Sequence, residues 1–167
     1  METLESYGYR QYEISNFARE GYESRHNLKY WQGGEYLGFG PSASSDFAGK
    51  RFTCAPDLDG YVEGVLHGGA ILSECESIPL HERAGEYLML RLRTRYGVDG
   101  RAFAKRFRIP FGPLERQFRH YETAGLAMLQ EDGTWRLTPR GFLVSNQIIS
   151  TLLEVMDGDQ PMQQKIL

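Results

Sequence analysis

Cysteine is scarce: Cys54 and Cys75 are the two in the chain. Such a pair makes neither a disulfide framework nor a zinc or iron–sulfur ligand run, so both read as free thiols. Long apolar stretches are missing as well. No window approaches the roughly eighteen uncharged apolar residues of a membrane span, and the acidic opening Met1-Glu2-Thr3-Leu4-Glu5 has neither the basic nor the apolar region of a secretory signal. A cytoplasmic protein is the expectation. Charge of one sign is also modest, net −3, and demands no polyanion-binding surface. No Ser/His/Asp or Cys/His spacing suggests nucleophilic catalysis, and the Asp and Glu residues form no metal loop. Gly38-Phe39-Gly40 lacks the third glycine and the acidic residue of a dinucleotide fingerprint. His67, His81 and His120 read as surface or cap residues.

What is present is ordinary globular material. With 41% hydrophobic and 25% charged residues, a chain of 167 can bury one domain or two small ones. Charge is uneven: residues 1–79 carry 6 basic and 12 acidic side chains, net −6, and residues 80–157 carry 12 and 9, net +3. The split predicts two subdomains, 1–79 and 80–157, followed by a frayed tail at 158–167.

The informative stretch is His26-Asn27-Leu28-Lys29-Tyr30-Trp31, preceded by Tyr12-Glu13-Ile14-Ser15-Asn16-Phe17-Ala18. A short helix or turn would aim His26 and Tyr30, four apart, from one face. Imidazole is the commonest metal ligand and a usual axial ligand of haem iron, and Tyr and Trp add broad apolar faces with a polar edge. The same residues could equally form a satisfied, half-buried aromatic cluster.

These two segments, with Gly21 to Trp31 and Tyr36-Leu37-Gly38-Phe39-Gly40, resemble the C-terminal part of radical-SAM coproporphyrinogen III oxidase-like proteins, nearest the HemW haem-chaperone branch. In that branch an HNxxYW motif is associated with haem binding. The resemblance implies His26, Asn27, Tyr30 and Trp31 as the haem-binding set, with His26 on the iron. Family members often carry Cys two residues before this His. Here Ser24 stands in its place, which excludes a thiolate contribution.

The implied fold class is α/β + α: the end of a partial (β/α) radical-SAM barrel, then a winged-helix-like helical domain. The resemblance places the earlier strands and the CxxxCxxC loop upstream of Met1. The four-iron four-sulfur cluster and S-adenosylmethionine would then belong to the full-length parent, and this chain alone would run no radical chemistry. It also places Gly38, Gly40, Ser42 and Ala43 near the S-adenosylmethionine or substrate end. Implied partners are haem or another porphyrin, the absent barrel part and a haem-accepting protein. The corresponding part of a true oxygen-independent coproporphyrinogen III oxidase is the alternative, and HNLKYW favours the chaperone.

In chain order, Thr3 to Ser6 reads as the end of a helix and 10–14 as a strand. An unpaired barrel strand there would favour a homo-oligomer through its edge. Glu13 and Asn16 sit at its C-terminal end, where barrels place ligand-contacting groups, or else they cap and turn the chain. Tyr36 starts a short strand running into a small-residue loop. A hairpin follows over 46–53, turning at Ala48-Gly49-Lys50, with Lys50 and Arg51 as solvated tips or partners for porphyrin propionates. Asp57 caps a helix with an apolar stripe of Leu58, Tyr61, Val62, Val65 and Leu66, ending at Gly68.

Helices are then predicted over 81–96, over 100–107 capped by Asp99, and from Pro113 to Ala124. A hairpin turns at Asp132-Gly133, and Thr138 caps a last helix to Met156. Three helices, a hairpin and a helix are also the order of a winged-helix nucleic-acid or protein-binding module. That rival reading offers Arg116, Arg119, His120 and Arg136, opposed by Glu115 and Glu122 on the same helix.

Overall fold

Gly8, at φ 80°, ends the opening helix α1 (Glu2–Ser6) of the computed structural model, which describes residues 2–158. Strand β1 (Arg10–Gln11) then pairs antiparallel with β2 (Phe17–Ala18), Arg10 opposite Ala18 and Gln11 opposite Phe17. The expected strand over 10–14 is therefore shorter. The Tyr12 N–H donates to the Asn16 carbonyl at 3.2 Å, turning the chain back, and Glu13 makes an isolated antiparallel bridge to Thr94. The Arg95 N–H also donates to the Tyr12 carbonyl at 3.0 Å. Part of this segment is thus paired within the chain, Arg10 and Gln11 with β2 and Tyr12 and Glu13 with Thr94 and Arg95.

These bonds also decide how the chain divides. One compact unit joins Met1–Gln32 to Arg83–Leu167, and the other is Gly33–Glu82. The division differs from consecutive blocks 1–79 and 80–157 because Tyr12 and Glu13 are tied to Thr94 and Arg95. Helix α2 (Arg25–Trp31) completes the N-terminal part of the first unit.

In the second unit β3 (Ser44–Phe47) and β4 (Lys50–Cys54) form the anticipated hairpin. Ala48 (φ 51°) and Gly49 (φ 78°) make its two-residue turn, both left-handed as the twist of a tight hairpin requires. Instead of a strand from Tyr36, one isolated bridge joins Tyr36 to Asp46. Helix α3 (Leu58–His67) is capped by Asp57 and stopped by Gly68 at φ 73°.

The expected apolar stripe of α3 is not its inner face, since Leu58, Val62, Val65 and Leu66 are exposed. Gly64 is buried there instead, so close to Ile71 that a Cβ would collide with it. A third strand, β5 (Leu72–Ser77), pairs antiparallel with β4 and gives the order β3-β4-β5.

Helix α4 (Leu80–Arg91) ends sooner than the predicted 96, because Thr94 leaves the helix to bridge Glu13. After β6 (Val98–Asp99), α5 (Gly100–Phe107) starts on the Asp99 carboxylate, which accepts the N–H groups of Arg101 and Ala102 at 2.8 and 3.1 Å. Helix α6 (Gly112–Thr123) has Pro113 in its first turn, and Gly125 at φ 70° follows it. Strands β7 (Ala127–Leu129) and β8 (Thr134–Leu137) form the expected hairpin, and β6 joins to give β6-β8-β7.

The predicted last helix is two. α7 (Pro139–Leu143) and α8 (Ser145–Gly158) break at Val144, where φ is −120°. Gly141 presses against the Leu126 carbonyl, closer than any side chain allows, and this fixes α7. The direction of α8 is set separately by Ile148, Ile149, Leu152 and Met156 in the core. Of the tail at 158–167, Gly158 closes α8 and residues 159–167 lie outside the described residues.

The core of this unit is aromatic. Phe103, Phe118 and Trp135 are fully buried, and Phe118 stacks on Trp135 at 5.2 Å and 12°. Each such side chain contributes roughly 1.5–3 kcal/mol of burial. Among the described residues no helix is long and apolar enough to cross a membrane.

Candidate functional site

Helix α2 carries the HNLKYW sequence, and its local chemistry explains why it forms. Ser24 is extended (φ −63°, ψ 105°), and its hydroxyl accepts the Asn27 N–H at 3.3 Å, satisfying one of the free donors at the helix start. At the other end the Gln32 N–H donates to the Leu28 carbonyl at 2.9 Å. The helix has seven residues and buries none of them. So short a helix is not stable by itself and must be held by its surroundings.

Its first turn aligns the two expected rings. His26 and Tyr30 meet edge to face, with centroids 5.0 Å apart and planes at 78°. His26 is exposed, and neither of its ring nitrogens has a hydrogen-bond partner among the described residues. An imidazole in that state can direct a lone pair outward to a metal.

Around the corner of the helix, Asn27, Tyr30 and Trp31 line a cavity of about 320 Å³ together with Glu13, Ser15 and Asn16. Five of the residues singled out in the sequence therefore meet at one place, and Ser15 joins them. His26 is not among the cavity-lining residues. Glu13 is 1% exposed; its Oε2 accepts the Ser15 N–H at 3.1 Å, and its Oε1 has no partner among the described residues. A buried carboxylate oxygen left unpaired is costly, and a hydrogen-bond donor brought into the cavity would offset that cost.

Gly38, Gly40, Ser42 and Ala43 lie in the second unit. Their small size is explained by their own packing. A Cβ on Gly38 would strike the Ser44 carbonyl, Gly40 is at φ 107°, and Ser42 is left-handed at φ 61°. The loop is held by Gly38 N–H to Ser45 Oγ at 3.0 Å and Gly40 N–H to the Tyr61 hydroxyl at 3.1 Å. Arg51, a candidate for propionates, bonds Asp46 at 3.3 Å.

The residues of the nucleic-acid reading are partly committed elsewhere. Arg119 reaches Glu122 at 3.0 Å and Glu115 at 3.6 Å while lying 4.9 Å over Trp135. Arg136 directs its Nε at the Met128 sulfur, 3.3 Å away. His67 is an exposed partner of Glu63 at 2.9 Å.

Cys54 is buried and Cys75 exposed, one on β4 and one on β5, and two thiols are fewer than an iron–sulfur cluster takes. Among the described residues no group of three or more His, Cys, Asp or Glu is placed to hold a metal ion. A haem would need no such group, since one protein side chain such as a histidine can hold its iron.

One feature of the site has no signal in the sequence. Glu23, just before the Ser24 cap, pairs with Arg95, seventy-two residues away, at 2.7 Å.

Comparison with known proteins matches residues 78–144 to the HemN C-terminal domain. The haem chaperone HemW of Bacillus subtilis is 31% identical over 92% of this chain and 40% of its own length. HemW of Synechocystis is 32% identical over 95% and 43%. A bovine protein described as radical S-adenosyl methionine domain-containing protein 1, mitochondrial, is 59% identical over 89% of this chain and 35% of its own length. The solved Escherichia coli coproporphyrinogen III oxidase HemN, described as a radical SAM enzyme, shares the fold with a TM-score of 0.64 at 17% identity, over 93% of this chain and 38% of that one. The chain thus spans about two fifths of the length of these relatives.

Proposed function

The chain belongs to the radical-SAM coproporphyrinogen III oxidase-like family, is similar over most of its length to HemW haem chaperones and carries the HemN C-terminal domain, and from this we propose that it supplies the haem-contacting segment of a haem-handling protein. The observation that carries the reading is His26. It stands exposed at the first turn of α2 with both ring nitrogens unengaged among the described residues and its ring held against Tyr30. Haem bound here brings an iron that accepts an imidazole nitrogen. His26 would supply that nitrogen, and Tyr30 would restrict the rotation of the ring by its edge contact. Trp31 and Tyr30 offer apolar faces beside it.

The cavity next to α2 is too small to enclose a porphyrin, so the macrocycle would lie across the helix while Asn27, Trp31 and Glu13 meet a smaller part of a ligand. Glu13 Oε1 can accept one hydrogen bond there, and Asn16 can add another. In the full-length relatives these two residues, with Gly38, Gly40, Ser42 and Ala43, would serve S-adenosylmethionine or substrate. The two cysteines of this chain are too few to hold a four-iron four-sulfur cluster. On this reading residues 1–79 are the end of a partial barrel, residues 80–157 are a winged-helix-like domain, and a haem-accepting protein is the partner.

The test is a haem titration of the 167-residue chain followed by visible absorption, with His26→Ala beside it. The expected outcome is saturable binding with a Soret shift that the substitution removes. A shift indifferent to His26, or no shift, would sink the reading.

A further inference from the structure

Helix α2 presents an anchoring problem that its own sequence does not solve. It has seven residues, none buried, and its only side-chain cap is Ser24. Isolated helices of that length are not populated in water. Something must fix its axis if His26 and Trp31 are to keep one orientation.

We propose that Arg95, through its ion pair with Glu23, is the positioning residue that holds the HNLKYW helix against the C-terminal domain. Four observations in the first unit converge on it. The Arg95 guanidinium meets Glu23 Oε1 at 2.7 Å, and the Glu23 side chain is only 10% exposed while that of Arg95 is 29% exposed. A carboxylate with so little exposure is favoured by a charged, hydrogen-bonded partner, so the pair is geometrically demanding as well as attractive.

Arg95 is itself rigidly placed. Its N–H donates to the Tyr12 carbonyl at 3.0 Å, its neighbour Thr94 bridges Glu13, and its guanidinium lies 5.3 Å from the Tyr96 ring. Thr94 is completely buried, and its hydroxyl donates to the Arg91 carbonyl at 2.9 Å while accepting the Tyr96 N–H at 3.2 Å. The turn after α4 therefore grips both halves of the site, the Tyr12-Glu13 segment through the backbone and α2 through Glu23. Since Arg95 lies inside residues 78–144, the HemN C-terminal domain acts here as the jig for the motif helix. This rests on the haem reading above only for what the helix is positioned to do.

The test measures position and binding separately. Glu23→Gln, Arg95→Met and the charge-exchanged pair Glu23→Arg with Arg95→Glu are compared with the unmodified chain. Amide hydrogen exchange over residues 24–32 is followed without ligand, and haem affinity is followed by absorption. Either single substitution is expected to speed exchange across α2 while leaving α5, α6 and α8 as protected as before, and to weaken haem binding by roughly tenfold to a hundredfold, as loss of a supporting partner does at metal sites.

The exchanged pair is expected to recover slow exchange and binding. Slow α2 exchange in both single variants overturns the proposal, and so does an exchange increase in α2 that the exchanged pair does not reverse. Glu23→Gln, close to isosteric, keeps the test valid if Arg95→Met does not fold. Exchange that responds as expected in a chain that takes up no haem would support the positioning role and count against the haem reading alone.

Discussion

Ser24 and Glu13 show how single side chains shape the site. The Ser24 hydroxyl caps α2 by accepting the Asn27 N–H. Ser24→Ala is expected to cost about 1 kcal/mol of helix stability. Because no residue of the helix is fully buried, that loss should show as faster exchange over residues 25–31 with little change in the melting temperature of the whole chain. Glu13 was legible as a candidate from its place after a strand, but its 1% exposure and its unpaired oxygen were not, since both depend on Thr94 folding over it. Glycine shows a different residue-scale limit. Gly97 sits at φ 58° with the Trp135 carbonyl where a Cβ would be, so Gly97→Ala is expected to destabilise by about 2–4 kcal/mol, read from thermal or denaturant unfolding.

Elements were legible where caps and periodicity agreed. Asp99 before α5, Pro113 in α6, the Ala48-Gly49 turn and Thr138 before Pro139 all stand where the sequence placed them. Thr138 does more than cap, for its hydroxyl accepts the Gly141 N–H at 3.1 Å and donates to the Gly125 carbonyl at 2.8 Å. Thr138→Ala is thus expected to cost more than Asp99→Ala, the latter about 1 kcal/mol, in a comparison of denaturant midpoints.

What was not legible depends on packing or on distant partners. β5 reads Leu-Ser-Glu-Cys-Glu-Ser with every residue exposed, and it exists because its backbone pairs with β4. The break between α7 and α8 comes from Gly141 against Leu126, a contact no local pattern announces. In α3 the apolar stripe was legible as a pattern, but the pattern does not say which side packs: Leu58, Val62, Val65 and Leu66 are exposed and Gly64 is buried.

At the scale of the whole molecule, the first unit is discontinuous, and the motif helix belongs with residues that follow it by more than fifty positions. The resemblance singled out HNLKYW as the candidate stretch because that motif is local. It could not show the tie between Glu23 and Arg95, which joins that stretch to the C-terminal domain. The order of helices and hairpin in that domain also suits nucleic-acid binders, but Arg119 is held by Glu115, Glu122 and Trp135, and the chain is acidic overall. No retention of duplex DNA is expected in a mobility-shift assay near 0.15 M salt, on the order of physiological ionic strength. Affinity that falls steeply as salt is added would reverse that conclusion.

The central claim is that His26 coordinates haem iron directly, and imidazole rescue tests it most closely. His26→Gly is loaded with haem and its absorption and electron paramagnetic resonance spectra are recorded before and after adding free imidazole. The unmodified chain is expected to show an imidazole-ligation signature, the variant to lose it, and added imidazole to restore it. A variant whose spectrum already equals that of the unmodified chain, or an unmodified chain that takes up no haem, would contradict the account.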